Sequence, residues 1–360
     1  MTRRRSPVDL LLPGGALGVA VLGVVVVASA TRSGPGGPGG YVARQLAWVG
    51  LGTVAMAVAM AVDLDRLRRL VPLAYVLVLA SLVAVLSPLG ARTNGAQAWF
   101  DLGPIRLQPA ELAKPVLIAV LAAHAARGRG RLSGGRLAGA LLLAAPAVGL
   151  TLLQPDLGTA SVLVVVTAGV VVTAGARTRH LAVLGVAGLI AVTGAVGAGV
   201  LEPYQVERLT GFLHQSSDPM GTSWNLEQAK IAIGSGGVAG AGLFAGSQTA
   251  LDYVPEAHTD FVFTVVGEEL GLLGGASLLG LFSLLAWRIW RAGARTADPF
   301  AALCCTGVLT MVGFQVFENV GMTMGLTPIT GIPLPLVSYG GSATVACLAA
   351  VGLVANISRG

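Results

Sequence analysis

Long apolar runs separated by short polar breaks dominate the chain. Leu10–Ala30, Leu70–Gly90, Leu137–Pro155, Leu157–Ala176, Leu181–Leu201 and Leu270–Trp287 contain no charged residue, and Leu46–Val62 and Pro299–Phe317 read the same way. Each approaches the roughly 20 apolar residues that a helix needs to cross a bilayer. Pro115–Ala126 is shorter but extends backwards through Gln108–Lys114. No charge occurs between Glu318 and Arg359, yet Pro328, Pro333 and Pro335 interrupt that stretch, which predicts a loop and then a helix from about Tyr339 to Ser358. The pattern predicts one all-α polytopic membrane domain over residues 1–360, with ten transmembrane helices.

Composition excludes a soluble fold. Charged residues make up 11% of the chain, against about 25% in soluble domains, and the mean hydropathy is +0.78. Charge also orients the spans, because Lys and Arg are retained on the cytoplasmic side. With the N-terminus inside, the inner segments hold 16 of the 23 basic residues and four of the 17 acidic ones. Both termini then lie in the cytosol. The sequence pI of about 9.7 reports this sorting, not nucleic-acid binding. The basic start and the run ending Ala28-Ser29-Ala30 mimic a secretory signal, but the run is long and nine more spans follow, so it reads as the first span. Cys304, Cys305 and Cys347 have no metal or disulfide spacing and read as buried apolar residues.

One connection is long. About sixty residues, from Glu202 to about Asp260, fall on the outer face, and an insert of that length is usually functional. Val206–Leu213 and Trp224–Ile233 have the mixed spacing of short re-entrant or interfacial helices. Six glycines between Gly234 and Gly246 fit either close backbone packing or a flexible hinge. No Gly-Lys-Ser/Thr follows them, so a nucleotide loop is excluded.

Polar side chains that lipid cannot explain gather on the outer side, and such groups are functional candidates. Both lysines, Lys114 and Lys230, lie there. Glu111 and Lys114 are three apart and share a helix face. They can stitch a helix mouth together or present a cation to a phosphate. Asp156, in the turn beginning at Gln154, is placed to cap the following helix. Glu256, His258 and Asp260 recur at every second residue and could serve as acid–base groups or metal ligands. Asp260 could instead cap the next helix. Glu268 and Glu269 need partners, with Arg44 or Arg208 as candidates.

These residues fall into six separated motifs: Asn94–Trp99 with Gln108–Lys114; Gln154–Ala160; Tyr204, Gln205, Arg208, Asp218, Pro219, Gly221 and Asn225; Ile231–Gly237; Pro255–Phe263; and Gly331–Ser342. In that order they resemble the bacterial shape, elongation, division and sporulation family (RodA, FtsW and SpoVE). Ile231–Gly237 and Gly331–Leu336 look like its RodA branch, while Pro255–His258 looks more like FtsW. Ala98, Ala110, Trp224 and Ala241 depart from the family pattern, and two of these positions lack a cation common there.

The resemblance implies a peptidoglycan glycosyltransferase that polymerises lipid II at the outer face of the cytoplasmic (inner) membrane, in elongation and shape maintenance. It implies Asp260 as the catalytic base, substrate contacts from Trp99, Glu111, Lys114, Arg208, Glu256 and His258, and motif roles for Gln154, Asp156 and Ser338. Lys114, Arg208 and a bound Mg²⁺ or other divalent cation are candidates for stabilising the departing pyrophosphate; metal dependence stays open. The implied partners are lipid II, undecaprenyl-linked glycan and a class B penicillin-binding transpeptidase. Two rival functions are a lipid II flippase, kept alive by Glu268 and Glu269, and a non-catalytic scaffold for the transpeptidase.

Overall fold

The computed structural model describes residues 10–32, 37–93, 95–103, 105–128, 131–199, 206, 222–251 and 253–359. In chain order come α1 (Leu11–Ala30), α2 (Gly37–Ala61), α3 (Leu64–Val85), the strands β1 (Ala91–Thr93), β2 (Ala96–Asp101) and β3 (Arg106–Leu107), then α4 (Pro109–Ala125), α5 (Gly134–Leu153), α6 (Leu157–Thr173) and α7 (Thr178–Gly197). The short helices α8 (Thr222–Ser235) and α9 (Ser247–Ala250) precede α10 (Val262–Arg295), α11 (Pro299–Thr323) and α12 (Gly341–Ile357). Six of these helices, α1, α2, α3, α5, α10 and α11, are long and apolar enough to cross a membrane, and α6, α7 and α12 are shorter apolar helices. This is a multi-pass membrane architecture.

Local chemistry starts several helices where the apolar runs start. Asp63 caps α3 by accepting from the N–H groups of Asp65 and Arg66, Ser133 caps α5, and Asp298 caps α11. Pro109 and Pro299 occupy first turns, where a missing N–H costs nothing. Pro72, Pro115 and Pro146 lie inside helices, as membrane helices tolerate.

Burial separates two sets of helices. Half or more of the spanning windows of α1 and α11 is buried, against 17% for α3, which carries exposed Leu70, Leu73, Val76 and Leu77. Small residues bring helices together: a Cβ at Gly352 of α12 would lie 2.4 Å from the Met56 carbonyl of α2. Among the described side chains of α7, Leu181 and Leu184 of the first turns reach the core, while Val183, Val186, Leu189 and Ile190 are exposed.

The connections fall at two ends. At one end Arg68 pairs with Asp298 at 2.7 Å, Arg359 donates to the Met60 carbonyl at 3.0 Å, and the Leu132 N–H donates to the Ala174 carbonyl at 3.2 Å. The other end carries the strands, α8, α9 and the Pro-rich segment 325–340. The β1–β2–β3 meander was not expected from the hydropathy pattern. It pairs Thr93 with Ala96, Ala91 with Trp99, and Phe100 with Leu107.

The glycine-rich segment is packed, not a hinge. Helix α10 breaks at Gly271 (φ 65°, ψ −161°). In an unbroken helix the N–H groups of Leu272 and Leu273 would donate to the carbonyls of Glu268 and Glu269. Instead they donate to Gly237 O at 2.9 Å and Val238 O at 3.1 Å. The two freed carbonyls accept from Ala241 N at 2.9 Å and Gly242 N at 3.0 Å. The loop thus replaces one turn's hydrogen bonds one for one. A Cβ at Gly240 would sit 2.1 Å from Glu269 O, so only glycine allows this approach.

Candidate active site

Two clusters occupy the strand-bearing end. The first is built around the start of α4. Glu111 and Lys114 form an ion pair of 2.5 Å with 4% and 1% residue exposure, so the ammonium is spent on the carboxylate in a dry environment. Just before them, the Gln108 N–H donates to Ser342 Oγ at 2.9 Å, and Gln108 Nε2 donates to Asp156 Oδ2 at 2.9 Å. Asp156 Oδ1 accepts from Thr159 N at 2.9 Å, the expected cap of α6. Gln154 Nε2 donates to Leu82 O at 3.1 Å. The bonds of Gln108 and Asp156 tie the starts of α4, α6 and α12 together, and that of Gln154 separately ties the end of α5 to α3. Trp99 lies half-buried on β2, in the sheet that leads into α4.

The second cluster surrounds Asp260. Its turn is tight: Glu256 has φ 56°, and its carbonyl accepts from Thr259 N at 3.0 Å and Phe261 N at 3.2 Å. The cap position of α10 falls on Phe261, so Asp260 is not the capping residue. Asn319 of α11 donates through Nδ2 to Asp260 O at 2.7 Å and to Ile332 O at 2.8 Å. The Tyr339 N–H donates to His258 O at 2.8 Å. The rings of Tyr41, His258 and Tyr339 pack edge-on or tilted at 5.1 to 5.8 Å between centroids. Asp260 itself is half-buried. Three distant segments, the start of α2, the turn before α10 and the loop before α12, thus converge on His258, two residues before Asp260.

Ser338 shapes that last loop. Its Oγ accepts from Leu334 N at 2.8 Å, and its carbonyl accepts from Gln45 Nε2 at 3.3 Å. Glu256 is exposed and accepts from Thr259 Oγ1 at 2.8 Å. Among the described residues no three His, Cys, Asp or Glu side chains are placed to hold a metal ion, so Glu256, His258 and Asp260 do not fit the metal-ligand expectation. Arg208 lies outside the described residues.

Glu268 and Glu269 have partners, but not Arg44, which is exposed. Glu268 accepts from Gln248 N at 2.7 Å, Thr249 N at 3.0 Å and Thr249 Oγ1 at 2.6 Å. Glu269 accepts from Ser29 Oγ at 2.6 Å and Phe244 N at 3.1 Å, with Arg32 at 4.0 Å. Both carboxylates fasten the glycine-rich loop to α10, which answers the requirement for pairing buried charge.

The sequence reading missed Asn319, Tyr41, Tyr339 and Gln45. A signal existed for Asn319, an amide deep in an apolar run beside Glu318. Tyr41 gave none, and Tyr339 lay inside the Gly331–Ser342 motif without a sign of its partner, because their meeting depends on segments about 300 residues apart.

A family model described as a cell cycle protein, covering FtsW, RodA and SpoVE, matches residues 10–360. The chain belongs to the FtsW/RodA/SpoVE family. It is similar to stage V sporulation protein E of Bacillus subtilis (strain 168), at 36% identity over 366 residues, covering 100% of this chain and 99% of that one. It is also similar to the probable peptidoglycan glycosyltransferase FtsW of Alkalilimnicola ehrlichii, at 40% identity over 95% of this chain and 86% of the relative. The peptidoglycan glycosyltransferase MrdB of Escherichia coli (strain K12) is 37% identical over 88% and 85%. Among solved structures, a chain from a peptidoglycan synthase complex, solved for the coordination of polymerization and crosslinking, superposes with a TM-score of 0.84 at 36% identity, covering 98% of each chain. Rod shape determining protein RodA of Thermus thermophilus gives 0.73 at 34% identity, over 98% and 97%. Against the family pattern, Ala98 and Ala110 are buried at 1% and 0% exposure, so neither site has room for a longer polar side chain without repacking.

Proposed function

We propose that this chain is a peptidoglycan glycosyltransferase of the bacterial cytoplasmic membrane. It polymerises lipid II into glycan strands for cell-wall elongation and shape, in the manner of the RodA branch. In this reading it spans the bilayer ten times, with the arginine-rich end in the cytosol and the Asp260 end outside. A class B penicillin-binding transpeptidase is its partner, by analogy with the synthase complex it resembles.

One observation carries the proposal: Asp260 is a half-buried carboxylate on a turn held from both sides, by Asn319 at its own carbonyl and by Tyr339 at that of His258. Such a group is preorganised to act as a base. The acceptor sugar hydroxyl attacks the anomeric carbon of the donor, and its proton passes to the Asp260 carboxylate. A new glycosidic C–O bond forms. The bond from that carbon to the pyrophosphate breaks, and its electron pair leaves with the lipid pyrophosphate. That leaving group is already a weak base, so no second carboxyl is needed to protonate it, unlike in a glycosidase.

Charge on the departing pyrophosphate needs cations. The geometry favours a fold-supporting role for Lys114, whose charge is opposed by Glu111 at 2.5 Å. Arg208 is therefore the proposed phosphate contact, with Trp99, Glu256 and His258 toward the sugars. The flippase reading loses its main support, since Glu268 and Glu269 are occupied by the loop and α1.

The test is Asp260→Asn, purified with its transpeptidase and given lipid II. Glycan synthesis is expected to fall by about 10²–10⁴ with folding and partner binding intact. Undiminished synthesis would remove Asp260 as the base. If synthesis is absent from the wild type while the partner still binds, the scaffold reading takes its place.

A further inference from the structure

At the arginine-rich end, the segment leading into α5 meets the turn between α6 and α7 around a cavity of about 680 Å³, open on one side. Its lining is Arg131, Gly175, Ala176, Arg177, Thr178 and Arg179. One backbone bond joins the two segments, from Leu132 N to Ala174 O at 3.2 Å, and within the first of them Arg136 Nη2 donates to Arg131 O at 2.9 Å.

Its charge is one-sided. Arg131, Arg177 and Arg179 are exposed, and among the described residues no carboxylate pairs with any of them. Three of the other basic groups at this end are engaged. Arg68 pairs with Asp298, Arg359 donates to Met60 O, and Arg291 lies 5.1 Å from the ring of Trp287. From Arg127 to Leu201 the sequence holds six arginines and one acid, Asp156, which caps α6 at the opposite end.

Apolar surface adjoins the cations. Val183, Val186 and Ile190 follow at i, i+3 and i+7 on α7, and all are exposed. The rise from Arg179 to Ile190 is about 16 Å at 1.5 Å per residue. That matches the roughly 15 Å depth of one leaflet's hydrocarbon.

We propose that this cavity binds the phosphodiester headgroup of an anionic phospholipid, with Arg131, Arg177 and Arg179 around the phosphate and an acyl chain along the exposed face of α7. Guanidinium forks suit phosphate oxygens. A basic pocket where helices enter the membrane is a lipid-headgroup site by chemistry. The volume is larger than phosphate alone requires and accepts the glycerol as well. Placement in the inner leaflet rests on the orientation proposed above; the binding itself does not rest on polymerase activity, and the test does not read it.

The full-length protein is purified in detergent and titrated separately with dioleoyl phosphatidylglycerol and dioleoyl phosphatidylcholine, with bound lipid counted by native mass spectrometry. The wild type is expected to retain one phosphatidylglycerol with about a hundredfold preference, from about fivefold per arginine. R131Q/R177Q/R179Q should abolish the preference. R288Q/R291Q/R295Q, which removes the same charge from the same end, should keep it. R177K/R179K preserves charge, and with it membrane orientation, but loses the planar forks, so the preference should drop several-fold. An equal loss in both glutamine variants, or an unchanged preference in R131Q/R177Q/R179Q, would overturn the proposal in favour of diffuse surface charge. An unchanged R177K/R179K would do the same if the glutamine variants fail to fold. Displacement of the lipid by inorganic phosphate at equal concentration would replace the lipid with a soluble anion.

Discussion

Gly271→Ala isolates the contact between the glycine-rich loop and the broken helix. A Cβ there would lie 2.4 Å from Gly240 N and 2.7 Å from Val238 O, so the loop must retreat. The native φ of 65° with ψ −161° is also a region that only glycine occupies readily, at a cost of about 1–3 kcal/mol for another residue. The helix itself need not suffer, because the N–H groups of Leu272 and Leu273 can return to the carbonyls of Glu268 and Glu269. The loop is the loser: it gives up four backbone hydrogen bonds, each worth a net ~0.5–1.5 kcal/mol. Glu268 still holds Gln248 and Thr249, which limits the retreat to the glycine-rich part. Local opening should therefore become easier by about 2–4 kcal/mol, which is about 30- to 1,000-fold in exchange rate. Hydrogen exchange read by mass spectrometry on the purified protein should show faster exchange in peptides covering 236–246 and little change in the second half of α10. Wild-type protection of the Ala241 and Gly242 amides in the variant would refute the exchange of hydrogen bonds on which the reasoning rests.

Three further outcomes follow from buried and exposed polar contacts. Lys114→Met alone should destabilise the protein by about 3–5 kcal/mol, because Glu111 is left buried and unpaired; thermal unfolding of Glu111→Gln/Lys114→Met should recover most of that loss, and a double variant no better than the single would argue that the pair does more than support the fold. Asn319→Ala removes both clamps, at Asp260 O and Ile332 O, and should cost about 1–3 kcal/mol in thermal unfolding and lower glycan synthesis, and Asn319→Asp, whose carboxylate cannot donate to either carbonyl, should do no better; equal activity of the wild type and Asn319→Ala would show that Asp260 needs no such clamp. Arg68→Ala should change stability by less than about 1 kcal/mol, since its partner Asp298 and its own side chain are 37% and 41% exposed, and a larger shift in unfolding would contradict that.

Much of the architecture was already set by local sequence. Apolar runs located the helices because a membrane helix satisfies its backbone within its own segment, so each span is decided by its own residues. Predicted and observed limits agree closely for α1, α5, α6 and α12, and the capping of α6 by Asp156 follows from neighbours three residues apart. The Glu111–Lys114 pair is equally local. For α10 the uncharged window began only at Leu270, because Glu268 and Glu269 interrupt it, although Asp260 was already a candidate cap for this helix, which begins at Val262. Only tertiary structure decided how those two carboxylates could be buried, since their partners Ser29, Phe244, Gln248 and Thr249 come from α1 and from the loop. The same holds for the glycines, whose choice between hinge and close packing depended on a gap in another helix. The meander had a local signal, Asn94-Gly95, but strands of two to six residues stay invisible to hydropathy. Asp260 stood out as a polar residue at an apolar boundary, yet its support by Asn319 and Tyr339 spans 59 residues or more and could be read only from the folded chain. Helix formation is written in neighbours; a site is made where distant segments meet.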